Sequence, residues 1–152
     1  MVASAVLSMW VMNTSTAIML LPVGISVIKV ISDTVNNVTE NQKFNFQLCL
    51  LLGIAYAASI GGIATPIGTS PNGVLIQFAS NNYDYDIGFA NWLSIGLPIT
   101  LGLGPLIWVF LTYFIFPVNF SANQESKNKL DSMLRELGPM SNEEKKVIVV
   151  FL

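Results

Sequence analysis

The chain has 152 residues, 53% of them hydrophobic and 11% charged, with a net charge of −2, one Cys and no His. So few charges cannot cover a soluble globule, and a lone Cys without His excludes a His-based catalytic triad, a Cys/His zinc site and an intrachain disulfide. The near-neutral balance leaves no basic footprint, so nucleic acid is not expected as a partner.

Every charge falls outside three windows, residues 1–28, 44–83 and 87–124, which hold 28, 40 and 38 consecutive uncharged residues. One crossing of a lipid bilayer needs about 20. The first element, 1–30, is apolar except for Met12-Asn13-Thr14-Ser15-Thr16 at its centre. Four adjacent polar side chains cannot all face lipid. Either this is a single span whose polar patch packs on neighbouring helices, or it is a re-entrant hairpin with the Asn-Thr turn at its tip. About twelve residues on either side of the patch give arms of about 18 Å, which reach mid-membrane and favour the hairpin. A signal peptide does not fit, because no basic n-region precedes the apolar run.

The second element, 46–80, cannot be one straight helix. Forty uncharged residues would make a helix of about 60 Å, twice the hydrocarbon thickness of about 30 Å. From Gly61 to Gly73, six of thirteen residues are Gly or Pro, and each disfavours helix continuation. The sequence therefore predicts a half-helix over Phe46–Ile60, a second over Val74–Ser80, and a break near the middle of the membrane. Non-helical backbone at that depth must be buried in protein or line a watery cavity, which makes it a candidate site.

A conventional span follows at 91–117, kinked at Pro98 or between Gly102 and Pro105, with Trp92, Tyr83 and Tyr85 at an outer interface and Tyr113 and Phe116 at an inner one. Over 124–138, Leu130, Met133, Leu134 and Leu137 recur at helical spacing opposite charges, predicting an amphipathic surface helix. Gly138 and Pro139 stop it, and Ser141 with Glu144 forms a capping-box signature for the start of another span at 142–152. That closing apolar run reads as an internal piece of a larger protein. The loop 81–91 carries only acids, whereas 118–146 carries Lys127, Lys129, Arg135, Lys145 and Lys146. The positive-inside rule then places the first outside and the second in the cytoplasm.

A polar tip and a broken helix offer helix ends, free carbonyls, an amide and hydroxyls close together. Discontinuous helices of this kind bind ions and substrates in secondary transporters. Helix N-termini hold carboxylates without Arg or Lys, and neutral oxygens suit a small hard cation such as sodium. No window contains Asp, Glu, His, Lys or Arg, so proton coupling through a side chain has no candidate here.

The run Leu7-Ser8-Met9-Trp10-Val11-Met12-Asn13-Thr14-Ser15-Thr16-Ala17 with Leu20-Leu21-Pro22, and the run Ser59 to Asn72 around Gly61-Gly62-Ile63-Ala64-Thr65-Pro66-Ile67-Gly68, together resemble the divalent anion:sodium symporter family, solute carrier family 13. The resemblance covers nearly the whole chain and implies an all-α integral membrane fold, one half of an inverted-repeat secondary transporter. It implies sodium as coupling ion with no cofactor, and a small anion such as succinate, malate, fumarate, citrate or sulfate as substrate. It also implies a homodimer in the full-length protein, in the plasma membrane. By position, sodium would be held by Ser8, Asn13, the Ala64 carbonyl and the Met12 carbonyl; Ser15 is an alternative to Met12, which stands where the family usually has Ser. Asn13, Thr14, Thr65 and Pro66 would face the substrate.

Plainer readings compete. In these, Gly61, Gly62 and Ala58 serve close helix packing, Asn13 and Thr14 interhelical hydrogen bonding, and Ser8 a bond back to its own helix. Another anion or proton-linked exchanger, a channel, or a structural membrane subunit are the alternatives in function. No nucleophile and base pair is visible, so an enzyme is not expected.

Overall fold

A computed structural model describes residues 1–34 and 39–117 together with Ser132, and among these every element is helical. Five α-helices follow in order: α1 (Val2–Ser8), α2 (Asn13–Thr34), α3 (Glu40–Ile63), α4 (Ser70–Tyr83) and α5 (Phe89–Val109), the last running into a π-helical turn, Phe110–Ile115. Three stretches are long and apolar enough to cross a membrane by length and composition: Asn13–Ser32, Glu40–Ile63 and Phe89–Ile115. The surface helix expected at 124–138, the span expected from 142 and the capping box at Ser141 lie outside the described residues.

The packing order is fixed by a few close approaches to α3. Met1 lies on Gly53, the Ser4 hydroxyl donates to the Ile54 carbonyl at 2.7 Å, and Ala5 lies on Gly61, so α1 runs alongside α3 in the same direction. Asn13 lies on Gly62 while Gly24 meets Ile54 and Leu51, so α2 runs the opposite way. The two therefore form a hairpin astride α3, with their turn beside the end of α3. From the other side α5 descends antiparallel to α3, with Gly96 on Ile63 and Ala64 and Thr100 on Ile60. A groove of about 740 Å³ remains between α1, α3 and α5, walled by apolar side chains such as Val6, Phe46, Leu50 and Trp108.

Burial follows membrane rules. Ser4, Ser8, Thr16, Thr65, Asn72 and Thr100 are buried, while Ile18, Met19, Leu21, Val23, Ile25 and Val27 of α2 face outward. Small polar residues knit the helices, and large apolar ones cover the outside. Thr100 illustrates the knitting: its hydroxyl lies 3.2 Å from the Ile60 carbonyl and 2.9 Å from that of Gly96. Thr100→Val is expected to lower unfolding stability in detergent by about 0.6–1.7 kcal/mol, the range for interhelical hydrogen bonds in membranes; an unchanged melt would show that this tie does not hold α5.

Several boundaries differ from those the sequence suggests. The hairpin turn is Met9–Met12, and Asn13 to Thr16 form the first turn of α2 rather than the loop; the Thr16 N–H makes the first backward bond, to the Met12 carbonyl at 3.0 Å. The second arm has 22 residues, about 33 Å, instead of twelve. The first limb of the broken helix starts at Glu40 and runs on to Ile63, about 36 Å over 24 residues. It starts early because the Gln42 side chain accepts the Thr39 N–H at 3.2 Å, capping the end. It passes through Gly61 and Gly62 because both are needed bare for contact with Ala5 and Asn13. The second limb begins at Ser70, since Pro71 fits a first helical turn. Neither Pro98 nor Pro105 interrupts α5; its irregularity is the π-turn beyond.

Candidate functional site at the hairpin tip and the helix break

The break, residues 64–69, lies between the end of α3 and the start of α4. A helix end leaves its last carbonyls without partners, and here each finds a specific one. Thr100 donates to Ile60, the Ala64 N–H to Gly61 at 3.0 Å, the Asn72 amide to Gly62 at 2.9 Å, and the Trp92 indole to Ile63 at 3.0 Å. Trp92 is thus a strut between α5 and the break.

The hairpin turn is clasped onto this segment by Thr65. Its hydroxyl, 2% exposed, donates to the Met9 carbonyl at 2.5 Å and accepts the Gly68 N–H at 3.1 Å. Gly68 is folded tightly inward, where a Cβ would sit 2.6 Å from the Gly62 carbonyl and 2.9 Å from that of Ser8.

At the centre is the Asn13 side-chain amide. One of its polar atoms lies 2.6 Å from Ser8 Oγ, 3.1 Å from the Ala58 carbonyl and 3.2 Å from the Gly68 carbonyl. With nitrogen turned inward, the amide donates to these oxygens and satisfies them. With oxygen turned inward, four oxygens crowd one point and share only the Ser8 hydroxyl proton, an arrangement that a small hard cation relieves. Ser8 is fully buried, and its hydroxyl bonds Asn13 rather than its own helix. Among the described residues no group of three or more His, Cys, Asp or Glu could hold a metal ion, so the cluster is neutral oxygen throughout.

The remaining candidates are placed as follows. The Met12 carbonyl accepts the Thr16 N–H, and its side chain points outward with Thr14 and Ser15. Ala64 is fully buried, but its carbonyl faces α5, 2.9 Å from where a Cβ on Gly96 would stand. Pro66 is half-buried on the break. The structure therefore gathers Ser8 and Asn13 with the Ala58 and Gly68 carbonyls, puts Thr14 and Pro66 at the surface of the same junction, and sets Ala64 toward another helix. Sequence reasoning gave Ala58 only a packing role and Gly68 and Asn72 none. The first two act through backbone and carry no residue signature. Asn72 was legible, as an amide in a membrane window must find partners.

The N–H groups of Asn13, Thr14 and Ser15 precede the first backward bond of α2 and point from a helix N-terminus. Together with Thr14, they offer an anion donors and a partial positive charge without a formal one. A cluster of neutral oxygens and a helix N-terminus thus adjoin at one tip.

The family model described as "Citrate transporter", CitMHS, matches residues 1–152. Over 153 positions the chain is 34% identical to the sodium-dependent dicarboxylate transporter SdcS of Staphylococcus saprophyticus, covering 100% of this chain and 30% of that protein. It is likewise 34% identical to SdcS of Staphylococcus aureus strain USA300 and 33% to that of strain COL, covering 100% of this chain and 29% of each. The chain therefore spans under a third of the length of these relatives. Matched along its full length by this transporter model, the chain belongs to the citrate transporter family.

Proposed function

We propose that the full-length protein couples sodium entry to transport of a divalent anion of the C4-dicarboxylate type, and that this chain supplies one half of the binding site. The observation that carries the reading is the meeting of Ser8 Oγ, the Asn13 amide and the Ala58 and Gly68 carbonyls beside a helix N-terminus. The cluster takes sodium, and the tip of α2 with Thr14 and Pro66 takes a carboxylate. Three helices able to cross a bilayer and the family match make it a multi-pass membrane protein of a transporter family, not an enzyme family. The activity for which the relatives are named, sodium-dependent dicarboxylate transport, supports both the ion and the anion class. The plasma membrane as location and a homodimer as assembly belong to the same proposal.

The test is uptake of labelled succinate by cells or proteoliposomes containing the full-length protein. Uptake is expected to saturate and to fall at least about tenfold when choline replaces sodium, the loss that follows when a coupled ligand must bind first. Uptake indifferent to sodium, or an unsaturable conductance, would remove the reading.

A further inference from the structure

Three side chains from outside α3 cap its last carbonyls, and Asn72 differs from Thr100 and Trp92 in bridging the break itself. Its amide nitrogen donates to the Gly62 carbonyl at 2.9 Å and to the Thr65 carbonyl at 2.8 Å, one on each side of the point where α3 stops. Both amide hydrogens are thereby used, in a side chain only 7% exposed. Asn72 sits in the first turn of α4, so the bridge closes residues 62 to 72 into a ring. Gly68 lies within that ring, pressed against the Gly62 and Ser8 carbonyls, and its own carbonyl meets the Asn13 amide at 3.2 Å. The chain of contacts is short: the Asn72 amide sets the ring, the ring sets the Gly68 carbonyl, and that carbonyl is one of the oxygens around Asn13.

We infer that Asn72 is the positioning residue of the cation cradle, fixing sodium affinity through the Gly68 carbonyl without touching the ion. The inference rests on the sodium reading above. It follows from the hydrogen-bond inventory: an Asn amide supplies two donors from one atom, and none of Asp, Ser or Thr can do so. Without them the Gly62 carbonyl loses its side-chain donor and the Thr65 carbonyl keeps only the long 3.4 Å bond from the Gly68 N–H, so the buried loop opens toward water to satisfy them, taking Gly68 with it.

Asn72→Asp keeps the shape and replaces the double donor by an acceptor. In the full-length protein the sodium concentration for half-maximal succinate uptake is expected to rise at least about tenfold, the lower end of what lost outer-shell partners cost metal sites. At saturating sodium the maximal rate and the KM for succinate are expected to stay near wild type. Asn72→Ala, which removes the donors without adding charge, is expected to shift the sodium requirement in the same direction. A reduced maximal rate at unchanged half-saturating sodium, or loss of both variants from the membrane, would make Asn72 a merely structural residue and overturn the assignment. Wild type measured alongside separates the two claims. Sodium-independent wild-type uptake sinks both readings, whereas a sodium-dependent wild type with unshifted variants sinks only this one.

Discussion

Asn13→Ala in the full-length protein is expected to reduce sodium-dependent succinate uptake to background, a loss of at least about 100-fold, while the amount of protein in the membrane stays unchanged. The size follows from geometry. The Asn13 amide touches Ser8 Oγ, the Ala58 carbonyl and the Gly68 carbonyl at once, and even outer-shell partners of metal sites cost about 10–100-fold when removed. Insertion survives because other contacts hold the hairpin to α3 and the break, namely Ser4 to Ile54 and Thr65 to Met9. Uptake and membrane abundance measured on the same cells give the answer. Normal uptake by the variant would take Asn13 out of the site, and loss of the protein would make it a folding residue.

The largest effect on stability is expected from Gly61→Ala. A Cβ there runs into the carbonyl, Cα and carbonyl carbon of Ala5, all backbone atoms that cannot turn aside. The first arm of the hairpin must therefore move off α3, carrying Ser8 with it. Overpacking a tight core costs about 1–3 kcal/mol, and a backbone-to-backbone clash belongs at the upper end. Gly24→Ala is the matched comparison, because its Cβ meets only the side-chain ends of Ile54 at 3.0 Å and Leu51 at 3.6 Å. Thermal unfolding in detergent should show a clear drop for the first and little change for the second; equal melts would show that the α1–α3 contact does not depend on bare backbone.

These two glycines mark where the sequence was informative. The break was legible because Gly and Pro gather between Gly61 and Gly73, and the tip because four polar residues interrupt an apolar run. That α3 continues through Gly61 and Gly62 was not legible, because helix propensity sees their flexibility and not the neighbour that needs them bare. The early start of α3 was written in Thr39 and Gln42, a capping pair hidden in a polar stretch that reads equally well as loop. The tie from Trp92 was not legible, because an indole near a span end suits a lipid interface and only its distance to the Ile63 carbonyl reveals the strut. The oxygens contributed by Ala58 and Gly68 could not be read at all, since every residue has a carbonyl and only the fold selects which ones converge.

The cluster around Asn13 is built wholly from neutral dipoles, and that has an electrical consequence. A monovalent ion seated there brings a full elementary charge into a poorly polarisable interior, where its self-energy is large. A protein holding the ion alone would have to drag that uncompensated charge through the hydrocarbon, while one holding a dianion alone would meet the opposite penalty. Vacant, the junction carries no formal charge, and a dianion seated beside one such cation leaves a net −1 where the dianion alone leaves −2. On the proposed reading, passage of the dianion without the cation is thus disfavoured by electrostatics before any gate is considered.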